Sequence, residues 1–459
     1  MPNSRLLPYL IVAALAAVPS ARADDLIQIY HEARQSDPVL AGAEATRNAT
    51  EENVVQARAS LLPQISASYG YNRIHGGTSG TQFVTTPDGG QTLVNVSAPN
   101  ASRSRNLQGV LNQSLVDISQ WTALKSSKYT AKAGDANYDA AQQDLLIRTA
   151  QAYFSVLTAL DALKYADANE KALGRQLEQA QQRFDVGLAA ITDVNDAKAQ
   201  HDAAVASVIA DRNAVDQARE AVRQLTNKEP GEFLRLRDDI PLAHPVPDDP
   251  KAWVDLALKQ NPTLSSYSLQ VDAAGANVET ARAGHLPTLS GQILYSKTPS
   301  WGDATDPEFG PYHDNSERWS TTIGITLNVP IFTGGFTQSR VHQAIYNRDY
   351  AQDQLELQRR QVVAATRNDF RAVIAGASEV EATRASVTSA QSSLEATQAG
   401  YEVGTRTIVD VLIAQQTLLQ AQSSYSQARH AFVIDGLLLK QAAGVIDVKD
   451  LEAINALLE

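Results

Sequence analysis

The chain has 459 residues, no cysteine and a formal net charge of −12, with 51 acidic against 39 basic side chains. Its length allows two or three domains, the missing thiols exclude disulfide scaffolds, thiolate metal sites and cysteine nucleophiles, and the acidic balance argues against nucleic-acid binding. No apolar run approaches the roughly 18 residues of a membrane-crossing helix, so any spanning structure has to be a closed β-barrel.

Arg5, the apolar run from Leu6 to Val18 and Ala21-Arg22-Ala23 have the order of a secretory signal. Residues 1–23 are therefore expected to be removed, which takes away Arg5 and Arg22 but no acid and moves the charge from −12 to −14. Asp24 follows where an N-terminal lipid anchor would need Cys, so membrane attachment has to come from the fold.

Residues 24–228 form a first unit of sequence. Residues 25 to 61 predict a helix pair, the second helix starting at Ser36-Asp37-Pro38, where proline in the first turn loses no hydrogen bond. Pro63 ends it and opens strict alternation, with Ile65, Ala67, Tyr69 and Tyr71 on one side and Ser66, Ser68, Gly70 and Asn72 on the other. His75 to Ser104, rich in Gly, Thr, Ser and Asn, has no periodicity and predicts a long loop. Alternation resumes around Leu107, Gly109, Leu111 and Leu115, giving a β-hairpin over 64–115. An Ala- and Gln-rich helical hairpin follows over 119–226, its turn at Val186-Gly187-Leu188, with Ala197, Ala199, Ala203 and Ala206 as small knobs for close packing.

Residues 229–250 carry Pro230, Pro241, Pro245, Pro247 and Pro250 and predict a linker. Residues 251–444 then repeat the plan. Asn261-Pro262 matches Asp37-Pro38 and Pro287 matches Pro63, both 224 positions on (261 − 37 and 287 − 63). A second hairpin over 288–329 has Leu289, Ile293 and Tyr295 aligned with Trp319, Ile323 and Ile325 on its apolar face and a loop over Thr298 to Glu317. Pro330 and the turn-permitting Gly334-Gly335 lead into a second long helical hairpin, 338–443, turning at Val403-Gly404-Thr405. Gly404 and Asp410 lie 217 positions beyond Gly187 and Asp193 (404 − 187 and 410 − 193), so one turn occurs twice. Residues 445–459 predict a short closing helix.

Four predicted strands cannot close a barrel, and an open edge is not tolerated in lipid. Two copies of the chain would supply eight strands and three copies twelve, both allowed numbers.

Several stretches carry a family resemblance: Ala399-Gly400-Tyr401 with Val403 to Leu412, Arg183-Phe184 with Val186-Gly187-Leu188 and Ala190 to Val194, Gln113-Ser114-Leu115 with Asp117, Ser119 and Trp121, and Gly284 to Leu289. Across essentially all of residues 24–459 the chain resembles the TolC family of outer-membrane channel-tunnels. The resemblance implies a mainly α fold with a transmembrane β-barrel: a homotrimer with a twelve-stranded barrel in the outer membrane, a twelve-helix α-barrel through the periplasm, and an equatorial belt built from the linker and the C-terminal segment. It implies an exit duct for efflux or type I secretion, working with a periplasmic adaptor (membrane fusion protein) and an inner-membrane pump of RND, ABC or MFS type.

The same resemblance implies a periplasmic gate. Asp410 would form a ring of three carboxylates, Arg406 would bond Thr192 and Asp193 of a neighbouring chain, Tyr401 would bond Asp193 of its own, and Gln176 would meet Gln398. The family has an acid where Gln398 stands, and a second aspartate where Ile413 stands, so here one of two acidic rings is apolar. Val186, Gly187, Leu188, Val403, Gly404 and Thr405 would dock the adaptor, and Pro63, Pro287, Pro330, Gly334 and Gly335 would join helices to strands. Without the resemblance, Thr407-Ile408-Val409-Asp410 is a capping box, Arg406 is a solvated charge, and Gly187 and Gly404 are turn residues.

No enzyme pattern occurs: the eight histidines lack ligand spacing, no phosphate-binding glycine loop is present, and the single Met is the initiator. No cofactor is expected. The alternative to a conduit is a secreted trimeric coiled-coil structural protein or adhesin.

Overall fold

The structure, a computed structural model, describes residues 24–306 and 310–459, so the expected signal over 1–23 lies outside the described residues. In chain order the elements are α1 (Leu26–Ser36), α2 (Pro38–Ala59), β1 (Gln64–Thr85), β2 (Gln91–Val116), α3 (Ile118–Asp185), α4 (Ile191–Thr226), α5 (Pro250–Gln260), α6 (Pro262–Ala283), β3 (Thr288–Asp306), β4 (Gly310–Asn328), α7 (Phe336–Glu402), α8 (Ile408–Ala442) and α9 (Val448–Asn455). They fall into two compact units. One contains residues 46–135 and 266–357, the other residues 24–45, 136–265 and 358–459.

The first of these units holds a single antiparallel sheet in the order β1-β2-β3-β4, so the hairpin of each sequence half joins the other through β2 and β3. Of the long loops expected over 75–104 and 298–317, residues 75–85, 91–104, 298–306 and 310–317 are instead strand. The β1–β2 ladder runs unbroken from Gln64↔Asn112 to Thr85↔Gln91, and the β3–β4 ladder from Thr288↔Asn328 to Asp306↔Gly310. The first hairpin closes through Thr86, whose N–H donates to the Gly90 carbonyl at 2.7 Å, with Gly89 at φ +83°. Hydrophobic alternation marks a strand only where its two faces meet different surroundings. Where Gly, Ser, Thr and Asn are solvated on both faces, the backbone ladder persists without that signature.

Residues paired directly across an antiparallel sheet project from the same face. One face carries the rows Ile65, Leu111, Ile293, Ile323 and Tyr69, Leu107, Lys297, Trp319, and the other carries Ser68, Gln108, Ser296, Ser320. The apolar face is uncovered within the chain: Ile65 is 78% exposed and Ile323 74%. On the polar face side chains bond across strands, Gln292 Nε2 to Asn112 Oδ1 at 2.9 Å and Ser300 to Ser316 at 2.8 Å.

Helices reach this sheet through tight corners. Pro63 and Pro287 stand immediately before β1 and β3, after single turns closed by Leu62 N–H to Ala59 O at 3.0 Å and Leu286 N–H to Ala283 O at 2.9 Å. Pro330 ends β4, and Gly334 and Gly335, at φ +62° and +85°, turn the chain into α7 in a conformation that a side chain would strain. The first turns of α3 lie against α6, held by Lys125–Glu279 at 3.0 Å and Thr280 Oγ1 to Thr122 Oγ1 at 2.8 Å.

The other unit has its core where α1, α3, α4, α8 and α9 meet: Leu26, Ile29, Leu145, Tyr153, Phe154, Val222, Leu437 and Leu451 are buried there. The linker, without helix or strand of its own, is tied to both ends of the described chain. Gly231 N–H donates to Asp24 Oδ2 at 2.6 Å, and Arg235 and Glu459 exchange backbone bonds at 2.8 Å. The repeat is visible in detail here. Asp37 and Asn261 cap α2 and α6 alike, accepting from Leu40 N–H at 2.9 Å and Leu264 N–H at 3.0 Å. Asn227 and Gly444, again 217 positions apart (444 − 227), both adopt left-handed conformations that end α4 and the α8 turn. Asp37 differs from its counterpart in charge: burial would raise its pKa, but the Arg148 guanidinium at 2.8 Å and the Leu40 N–H outweigh it and hold the carboxyl below its ordinary value.

Ala197 and Ala204 are buried against neighbouring helices, whereas Ala199, Ala203 and Ala206, expected as packing knobs beside them, are exposed in the single chain. At 3.6 residues per turn these two sets cannot share one stripe.

Candidate functional site

The turn between α3 and α4 and the turn between α7 and α8 have the same hydrogen bonds. Gly187 N–H donates to Phe184 O at 2.9 Å and Leu188 N–H to Arg183 O at 2.8 Å; Gly404 N–H donates to Tyr401 O at 3.1 Å and Thr405 N–H to Gly400 O at 2.8 Å. This is the Schellman closure, with a left-handed glycine at φ +74° in one turn and +81° in the other. The closure leaves the flanking side chains outside: Val186, Leu188 at 77% exposure and Val403 at 75% are apolar groups in water, with Thr405 exposed beside them.

The second helix of each pair starts differently. Thr407 and Asp410 make a full capping box on α8: Asp410 N–H donates to Thr407 Oγ1 at 3.2 Å, and Asp410 Oδ2 accepts from Thr407 N–H and Thr407 Oγ1, both at 2.9 Å. The Thr407 N–H, then the Thr407 hydroxyl and the nearby Arg406 charge, hold the Asp410 carboxyl below its ordinary pKa, so it is an anion at neutral pH. On α4 the cap position is Ala190, which bonds nothing through its side chain. Asp193 therefore has no cap to complete and, among the described residues, no side-chain hydrogen bond; Thr192 is exposed next to it.

Arg406 is exposed and has no ion pair among the described residues; its methylenes lie on Gly400, where an added Cβ would come within 2.7 Å of Arg406 Cγ. Tyr401 is 8% exposed, packed with Leu394, Ile408, Val411 and Leu412. No hydrogen bond joins it to Asp193 among the described residues. Instead the Arg183 guanidinium stands 4.6 Å from the centre of its ring, a partner the sequence reading left without a role. Gln176 and Gln398 are half-buried and are not bonded to each other; Gln176 Oε1 is buried with no partner among the described residues. Ile413, one turn beyond Asp410 on the same side of α8, is 58% exposed.

A second cluster was not foreseen. His430, Arg429 and Asp161 lie together between α3 and α8, His430 Nδ1 sharing a hydrogen bond with Thr158 Oγ1 at 2.8 Å and Asp161 Oδ2 accepting from Ser426 Oγ at 2.6 Å. Burial pushes the His430 pKa down to about 4, against the pull of Asp161. The spacing of Asp161 and His430 in sequence carries no motif, so only the fold brings them together.

The family model described as outer membrane efflux protein matches residues 29–228 and 253–445. The chain is similar to the outer membrane protein TolC of Escherichia coli (strain K12), 38% identical over 457 residues, covering 98% of this chain and 88% of that protein. It is similar also to the alkaline protease secretion protein AprF of Pseudomonas aeruginosa, 29% identical over 99% of this chain and 92% of that protein. Among solved structures, the Campylobacter jejuni CmeC outer membrane channel superposes with a TM-score of 0.71 at 17% identity, covering 100% of this chain and 98% of that one.

Proposed function

This chain belongs to the outer membrane efflux protein family, and we infer that it is the outer-membrane exit duct of an efflux or type I secretion system. It resides in the outer membrane of a Gram-negative cell. The observation that carries the conduit reading is the sheet: in-register, exposed apolar residues line one face from Ile65 to Trp319, polar residues line the other, and the outer edges of β1 and β4 pair with no strand among the described residues. Lipid tolerates such a sheet only when copies close it into a barrel with the polar face around water.

Three copies would give a twelve-stranded barrel and twelve long helices, and a homotrimer is the assembly that the resemblance favours. In it the sequence halves 24–228 and 251–444 act as structural repeats, joined by the linker 229–250. The α3–α4 and α7–α8 turns would lie in the periplasm, where Val186, Leu188 and Val403 offer apolar contacts to an adaptor that recruits the inner-membrane pump. The Arg406 guanidinium and the Asp193 carboxylate, neither of them bonded among the described residues, are suited to bond between neighbouring copies and keep the entrance shut, with Asp410 and Ile413 facing the lumen. The chain carries out no catalysis in this reading; it supplies a path.

Ser79→Cys should react with an impermeant thiol reagent on whole cells and Leu188→Cys should be protected. The absence of native cysteine removes background. Labelling of Leu188→Cys in intact cells, with Ser79→Cys protected, would reverse the orientation and refute the assignment.

A further inference from the structure

The apolar face of the sheet changes character toward the β1–β2 turn. Following its rows along the strands, Ile65, Leu111, Ile293, Ile323 come first and Tyr69, Leu107, Lys297, Trp319 follow. Tyr71 and Arg105 pair next, and then Arg73, Arg103, Trp301 and Asn315 form one row. The side chains confirm that these last groups share a face: the Tyr71 and Trp301 rings lie 6.4 Å apart, and the Arg105 guanidinium is 5.1 Å from the Trp301 ring centre.

Arg73 and Arg103 are thus directly opposite each other in the ladder, with Arg105 on the neighbouring pair. Like charges facing each other across a sheet destabilise it, and among the described residues no carboxylate pairs with these arginines. Glu317 is taken by Lys297 at 2.7 Å and Asp303 by His313 at 2.8 Å, while Arg73 and Arg103 have no ion pair or hydrogen bond among the described residues. Three exposed guanidiniums crowded on one face form a site that favours an anion from outside the chain.

Position along the strand identifies that anion. Lys297 and Trp319 lie eight residues from the Leu289–Leu327 pair (297 − 289), and Trp301 twelve (301 − 289). At about 3.3 Å per residue and a tilt of about 40°, these rows stand roughly 20 Å and 30 Å above it. The apolar band of an outer-membrane barrel is about 25 Å tall and is bordered by aromatic residues, so the arginines fall just past the hydrocarbon edge, at the level of lipid headgroups.

Building on the exit-duct reading, we propose that Arg73, Arg103 and Arg105, ordered by Trp301, bind the phosphate groups of a phosphorylated glycolipid in the outer leaflet. Guanidinium forks match phosphate oxygens in two-point hydrogen bonds, the Arg105 head is held by the indole, and Tyr71 and Tyr69 continue beneath as a surface for the lipid's sugar and acyl chains.

The test uses the purified full-length protein in detergent, titrated with bis-phosphorylated lipid A and with its dephosphorylated form, bound lipid being counted by native mass spectrometry. The phosphorylated lipid should bind at least tenfold more tightly, and Arg73→Ser/Arg103→Ser should abolish that difference. Arg318→Ser, on the polar face of β4, should leave it intact. Equal affinity for the two lipids, an unaffected double variant, or equal loss in Arg318→Ser would overturn the proposal. So would displacement by millimolar inorganic phosphate, because the occupant would then be a small anion. This titration does not depend on conduction, so recording both proteins in planar bilayers separates the two claims: unaltered channels with no lipid preference refute the binding site alone, and absent channels refute the duct.

Discussion

The contact between Arg183 and Tyr401 gives a sharp prediction, because it competes with the lock that the family resemblance implies. Tyr401 was expected to hold Asp193 through its hydroxyl; in the structure the ring face, 4.6 Å from the Arg183 guanidinium, makes the contact. A cation over an aromatic face contributes about 0.5–1 kcal/mol when exposed and about 2 when desolvated. Arg183 is half-exposed and Tyr401 buried, so about 1 kcal/mol per chain is reasonable. If three copies loosen together, removing the contact shifts the balance of loosened to closed tips by about 3 kcal/mol, or on the order of a hundredfold. Single-channel recording reads that shift as time in high-conductance states. Arg183→Gln should raise it strongly, Tyr401→Leu likewise, and Tyr401→Phe, which keeps the ring, should stay within a few-fold of the parent. The reverse pattern, a silent Arg183→Gln with a large effect of Tyr401→Phe, would show that the hydroxyl is the lock and refute the ring contact as the restraint.

Three further outcomes follow from named groups. Ile413→Asp would add a carboxylate one turn from Asp410, and since a divalent cation gains about 2 kcal/mol from each carboxylate at 4 Å even in water, block of the channel by divalent cations should strengthen at least tenfold; unchanged block in bilayer recordings would place these side chains outside the lumen. His430 stays neutral in the folded chain down to about pH 4 while the unfolded chain protonates it near 6.5, so it costs stability as pH falls through that window, on the order of 3 kcal/mol. His430→Gln should flatten the fall in Tm between pH 6.5 and 4, and an identical slope would contradict the burial argument. Asp37→Asn keeps the cap, as Asn261 does in the second half, but loses the Arg148 ion pair at 2.8 Å. It should cost about 1–3 kcal/mol in denaturant melts, less than Asp37→Ala, which loses the cap too.

The parts legible in the sequence are those where one residue type has one physical use. Gly187 and Gly404 mark left-handed helix ends, Pro63 and Pro287 mark the corners into β1 and β3, and the alternation from Ile65 to Tyr71 marks a strand whose faces differ. The outer reach of the strands was not legible, because Gly76 to Thr85 pair through their backbones while Gly77, Ser79, Thr81, Phe83 and Thr85, on one face, and Gly76 and Gly80, on the other, are all exposed. The capping role of Asp410 was visible in Thr407-Ile408-Val409-Asp410, since a cap is local. The partner of Tyr401 was not: Arg183 lies 218 positions away (401 − 183) and belongs to another helix, and an arginine in a last helical turn has many ordinary uses. The lone pairing of Arg73 with Arg103 was hidden for the same reason, since register, not composition, sets them face to face.

An exit duct needs a water-filled path through copies of this one chain. Purified full-length protein added to a planar lipid bilayer should insert in unitary conductance steps of uniform size, and Arg406→Ser, by freeing Asp193 of its proposed neighbour, should enlarge those steps severalfold. Protein that is folded and trimeric yet leaves the bilayer without conductance, in the parent and in Arg406→Ser alike, would contradict a duct.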